Sequence, residues 1–170
     1  MSGLTKKEKM NRNAQIREIS FAVTIATVYV VTTIMLGTFG YSWIQVRIGE
    51  ALTPLPYLFG FPAVIGLTLG CIITNVYSPV GLPDLIFGPF LTFISAILSW
   101  KFNFGKGFIA CVYPVVINAL GVSAYVAGFY GVPYEVSVLS IALGESIAAI
   151  LFGYPLLRVL KLIPKLTLKK

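Results

Sequence analysis

The sequence predicts an all-α membrane protein, a six-helix transmembrane bundle, on three observations. Of 170 residues, 57% are hydrophobic and 11% charged, more apolar side chain than one soluble core can hide. Long apolar stretches recur along the chain, and a hydrocarbon layer about 30 Å thick takes roughly 20 residues of helix to cross. The basic residues fall in the two tails and one short connection, as the enrichment of cytoplasmic loops in Lys and Arg requires.

The elements follow in order. Residues 1–18 form a polar tail carrying Lys6, Lys7, Lys9, Arg12 and Arg17. The first apolar run, 19–38, is longer than the core of a signal peptide and lacks a convincing cleavage site, so it reads as a retained helix. In the connection that follows, Tyr41, Trp43, Gln45 and Arg47 alternate with Ser42, Ile44, Val46 and Ile48. Period two marks an extended segment, either an interfacial loop with aromatic anchors or a lid over an outward-facing cavity. Residues 48–60 are a shorter apolar stretch interrupted by Pro54 and Pro56, which suits an irregular helix or a re-entrant segment. Residues 61–78, 84–102, 108–130 and 135–160 each have the length and apolarity of a span.

Charge decides how to count residues 48–60. With six spans, the amino tail, Lys101 and Lys106, and the group Arg158, Lys161, Lys165, Lys169 and Lys170 share one side, leaving only Arg47 outside. Five spans would export the later groups, against the bias. The expectation is a six-helix substrate-binding domain over 19–160 in a prokaryotic plasma membrane. Basic tails at 1–18 and 161–170 flank it, both on the cytoplasmic side of the bilayer.

The same residues exclude several functions. The net charge of +7 lies in tails and a loop without aromatic interleaving, so no nucleic-acid partner is expected. There is no histidine and no G-x-x-x-x-G-K-[ST] loop, hence no Ser-His triad, zinc-hydrolase motif or P-loop ATPase in this chain. Cys71 and Cys111 sit inside apolar runs as small packing residues. No catalytic residue, metal ligand or cofactor is expected, and any ATP-driven step belongs to another subunit.

Ionisable groups in a bilayer cost about 2.5–3.5 kcal/mol each on insertion scales, so their placement carries the functional signal. Arg47, Glu50, Asn75 and Asp84 fall at outer helix ends, Asn118 and Glu145 near the middle of the last two helices, and Glu135 at the outer interface. The inner half lacks acids, which favours a pocket opening outward over a proton path through the bundle. Packing readings stand beside these. Arg47 and Glu50 have the spacing of an i, i+3 ion pair, Asp84 suits a helix start, and Asn75 and Asn118 suit interhelical glue. Glu145 has no basic residue nearby on its own helix, and its partner is expected to be Arg47 or a ligand. The pairs Ala22-x-x-x-Ala26 and Gly66-x-x-x-Gly70 permit close helix approach, either within the bundle or against a partner.

The stretch Ile44-Gln45-Val46-Arg47-Ile48-Gly49-Glu50-Ala51-Leu52-Thr53-Pro54-Leu55-Pro56, with Asp84-Leu85-Ile86-Phe87-Gly88 and Gly144-Glu145, resembles the QueT family. These are substrate-capture (S) components of energy-coupling factor transporters, associated with queuosine precursors. The Arg-x-x-Glu-Ala-Leu-x-x-Leu-Pro pattern is the most specific part. The resemblance implies a six-helix subunit that binds a 7-deazaguanine from outside and docks on a module of one transmembrane protein and two ATPases. It implies docking through small residues of the first helix, here Ala22 and Ala26. The chemistry of a deazaguanine suits Glu145 and Asn118 for its N–H edge and Asp84 or Glu50 for a cationic aminomethyl group. Tyr41, Trp43, Phe87, Tyr113 and Tyr125 are candidates for stacking on the base. An S component for another vitamin or base, and an autonomous channel or exporter, are the competing readings.

Overall fold

A computed structural model of the chain describes residues 6–35 and 47–163. Within them the structure is helical, in the order α1 (Lys6–Met35), a 3-10 turn (Ile48–Leu52), α2 (Pro56–Phe59), α3 (Phe61–Asn75), α4 (Leu82–Lys101), α5 (Gly107–Tyr130) and α6 (Tyr134–Glu145). α6 runs on through a π-helical stretch (Ser146–Phe152) into α7 (Gly153–Lys161). Four helical segments, Met10–Met35, Leu82–Lys101, Gly107–Tyr130 and Tyr134–Lys161, are long and apolar enough to cross a membrane. α3 is apolar but has only 15 residues.

The breaks lie where backbone chemistry demands them. α3 and α4 each start with a proline in the second position, preceded by a glycine at φ 67° (Gly60) and φ 76° (Gly81). A proline lacks the N–H that a helix start leaves orphaned, and glycine takes the left-handed φ that ends the preceding turn. Residues 48–60, expected as an irregular helix or re-entrant segment, are a 3-10 turn joined to a single turn of α-helix. Pro54 and Pro56 remove two amide donors from a stretch of this length, so a continuous helix cannot form there. α3 stops at Asn75, three residues short of the expected limit, in a turn where Ser78 N donates to Asn75 O.

α1 and α3 run side by side, and glycine lets them touch. A Cβ on Gly66 would lie 2.5 Å from the Ala22 carbonyl oxygen, and one on Gly70 3.0 Å from the Tyr29 side chain. The Gly66/Gly70 pair is therefore internal packing. The inner stripe of α1, Ala22, Ile25, Tyr29 and Thr33, is buried at the spacing of one helix face. Tyr29 and Ile25 join Val64, Leu67, Cys71, Ala96 and Cys111 in the main core, and Val122, Val126 and Ile141 anchor a second core between α5 and α6. The outward faces stay apolar, with Val23, Leu69, Phe90, Leu139 and Leu151 exposed, the surface expected of helices solvated by lipid.

The 3-10 turn also packs on the π-helical stretch, and a Cβ on Gly153 would come 2.8 Å from Ala51 O. Two irregular segments thus meet beside Glu50 and Glu145, a common setting for functional side chains.

Gly66→Ala should destabilise the protein by about 1–3 kcal/mol, because its new methyl meets a backbone oxygen that cannot rotate away. Gly128→Ala, also inside a helix but with nothing within 4 Å, should be neutral or gain up to about 1 kcal/mol. Unfolding in detergent, monitored by circular dichroism, compares the two directly.

Candidate functional site

Charged and polar side chains gather at the end of the bundle where α1 and α3 finish and α4 begins. Arg47, at the start of the 3-10 turn, reaches Asp84 in the first turn of α4 with Nη2–Oδ2 at 3.0 Å. Its Nη1 donates to Asn75 Oδ1 at 3.1 Å, and Asn75 Nδ2 donates to the Asp84 backbone oxygen at 2.8 Å. Tyr125 of α5 donates its hydroxyl to Asp84 Oδ1 at 2.7 Å. Three helices and the turn are thereby tied to one buried ion pair. Both oxygens of Asp84 and both polar atoms of Asn75 are engaged within the protein. Gly88 makes room for this, since a Cβ there would collide with Asn75 Nδ2.

Beside the ion pair lies a second set of groups with spare capacity. Tyr29 donates its hydroxyl to Glu50 Oε1, and Asn118 Nδ2 donates to Glu145 Oε1 at 2.9 Å. The other atoms of these groups, Glu50 Oε2, Glu145 Oε2 and Asn118 Oδ1, have no partner among the described residues. Glu50, Asn118 and Glu145 are only 2%, 4% and 6% exposed. The Thr33, Ser123 and Ser137 hydroxyls are likewise buried without a partner among the described residues. The carboxyls of Glu50 and Glu145 lie near enough to interact electrostatically with each other and with Arg47. Buried acceptors normally find donors, and a cluster of unfilled ones has the capacity to accept from a molecule rich in N–H groups.

The expected site residues divide accordingly. Glu145 finds its protein partner in Asn118 and not in Arg47, whose carboxylate is Asp84. Among the described residues the salt bridge of Arg47 goes to Asp84 and not to Glu50, one of whose oxygens accepts from Tyr29. Tyr125 reaches the cluster through its hydroxyl, and Phe87 is half-exposed with its ring centroid 6.0 Å from that of Tyr125. Tyr113 lies at the opposite end of the bundle, donating to Phe102 O at 2.9 Å, which takes it away from Asp84 and Arg47. Tyr41 and Trp43 lie outside the described residues. Ala22 and Ala26 are both buried along the seam with α3, and Ala26 also floors an outer apolar groove with Val23, Thr27, Val30, Leu69 and Ile73.

Sequence reasoning missed Tyr29, Thr33 and Cys71. Cys71 Sγ lies 3.5 Å from Asn75 Nδ2 and 3.4 Å from Thr92 Oγ1, so this packing thiol also lines the polar cluster. Tyr29 and Thr33 continue the stripe of Ala22 and Ile25 by steps of four, a signal that was present but belonged to helix packing.

Comparison with protein families gives a match to the family described as QueT transporter, over residues 19–162. Comparison with curated proteins and with solved structures gives no match.

The ion pair should behave as a unit. Asp84→Asn or Arg47→Met alone should each cost about 3–5 kcal/mol by leaving a charge buried without its counter-charge, and the double variant clearly less than their sum. A double-mutant cycle of unfolding in detergent measures this, and additive losses would show that the two side chains are not coupled.

Proposed function

The chain belongs to the QueT transporter family, and from that premise we propose that it is the substrate-capture component of an energy-coupling factor importer, taking up a 7-deazaguanine precursor of queuosine. The observation that carries this reading is the set of buried, unfilled acceptors on Glu50, Asn118 and Glu145. A guanine-type ring presents a ring N–H and an amino group side by side. Glu145 Oε2 and Asn118 Oδ1, on hydrogen-bonded side chains, are two acceptors for two such donors. The Arg47–Asp84–Asn75 network holds the walls around them, and Tyr125 and Phe87 supply aromatic surface at the same end.

In this reading all six segments traverse the bilayer, both termini face the cytoplasm, and the polar cluster faces outward. The chain carries no ATPase motif, so energy comes from a partner module of one transmembrane subunit and two ATPases. The groove of α1 and α3 that Ala26 floors is the surface for that module, with Ala22 setting the close α1–α3 approach that shapes it.

Two measurements test this. The tagged chain, expressed with its genomic ATPases, should co-purify with them, and an autonomous channel would come down alone. Glu145→Gln replaces one acceptor with a donor facing the base edge, and should weaken binding of a 7-deazaguanine about thirty- to a thousand-fold while the fold survives. Unchanged affinity in equilibrium dialysis removes Glu145 from the site.

A further inference from the structure

The charges of the polar cluster do not balance. Three carboxyls are buried there, on Glu50, Asp84 and Glu145, against the single guanidinium of Arg47. Arg47 forms its ion pair with Asp84, the one salt bridge among the described residues. Among the described residues no other cation lies at this end of the bundle, since the basic residues of α1 sit in its first turns and α1 finishes here. There is no histidine, and residues 36–46, Leu-Gly-Thr-Phe-Gly-Tyr-Ser-Trp-Ile-Gln-Val, contain no Lys or Arg. Lys101, Lys106, Arg158 and Lys161 belong to the opposite end of the bundle, where α4 and α7 finish and α5 begins.

Glu50 and Glu145 also differ in their company. Glu145 shares its site with the unfilled Asn118 carbonyl oxygen, a pair of acceptors for a flat N–H edge. Glu50 has one oxygen fixed as an acceptor by Tyr29 and the other unfilled. The unfilled Thr33 hydroxyl packs against the adjoining residue, as the atom that a Cβ on Gly49 would strike. A carboxylate oxygen and a hydroxyl oxygen suit an ammonium group, which carries three N–H donors and no acceptor.

Resting on the capture reading above, we propose that the solute is taken up as a cation and that Glu50 is its counter-ion, so that Glu50 decides between cationic and neutral members of one ligand series. Edge recognition by Glu145 and Asn118 is common to the whole series. The positive charge of the bound solute balances a carboxylate that has no salt-bridge partner of its own among the described residues, and a neutral congener would leave Glu50 buried without one.

The probes are 7-aminomethyl-7-deazaguanine, a cation at neutral pH, and its neutral relatives 7-cyano-7-deazaguanine and the N-acetylated aminomethyl compound. Binding to the purified full-length chain in detergent is measured by calorimetry. The wild type should bind the aminomethyl compound about 10- to 100-fold more tightly than either neutral one. Glu50→Gln should erase that preference by weakening the cation alone, whereas Glu145→Gln should weaken all three. Equal affinities in the wild type, or an undiminished preference in Glu50→Gln, overturn the proposal and leave the capture reading standing. Should Glu50→Gln fail to fold, the wild-type ratio decides, with Thr33→Val expected to reduce it. Binding of none of the three overturns the 7-deazaguanine reading and this inference with it.

Discussion

A guanidinium buried among apolar helices has to meet a carboxylate, and the fold of this chain is organised around the one that Arg47 meets. Asp84 stands at the start of α4 as the partner, Asn75 at the end of α3 makes two hydrogen bonds to the pair, and Tyr125 on α5 makes one. In a lipid-solvated bundle the hydrophobic effect does little to hold one helix against another. Close approach at Gly66 and Gly70, and polar contacts of this kind, carry more of the specificity. Breaking the pair exposes a charge to a medium that cannot solvate it, which fixes where the 3-10 turn sits and hence where Glu50 points.

Once Arg47 and Asp84 are matched, the neighbouring polar groups fall into two kinds. Asn75, Asp84 and Arg47 are occupied by one another and act as framework. Glu50, Asn118 and Glu145 each keep one atom without a partner among the described residues, at almost complete burial. Such atoms are costly in a folded protein, and a binding protein recovers that cost when its ligand arrives with the missing donors. The 3-10 and π-helical segments that carry or adjoin Glu50 and Glu145 pack on each other.

Much of this was legible in the sequence. Hydropathy alone marks α1, α4, α5 and the α6–α7 segment, because a span must be long and apolar to exist, and the placement of Glu145 and Asn118 near mid-helix follows from counting. Pro54 and Pro56 announced the break in residues 48–60. The pairings were not legible. Arg47 and Glu50, three apart, look like partners until the chain's path shows the nearer carboxylate to be 37 residues away, on α4. Tyr29 was hidden for a related reason, since an aromatic residue on an apolar stripe reads as packing, and only the arrival of Glu50 opposite its hydroxyl gives it a polar role. Tyr113 went astray because hydropathy does not say at which end of a span a side chain meets its neighbours.

In the proposed capture step the unfilled acceptors, and not the ion pair, receive the solute. A structure of the purified chain with a bound 7-deazaguanine tests it most directly. The base edge should lie on Glu145 and Asn118, a polar substituent toward Glu50, and the Arg47–Asp84 contact should be unbroken. A ligand inserted between Arg47 and Asp84, or bound away from Glu145, would contradict it.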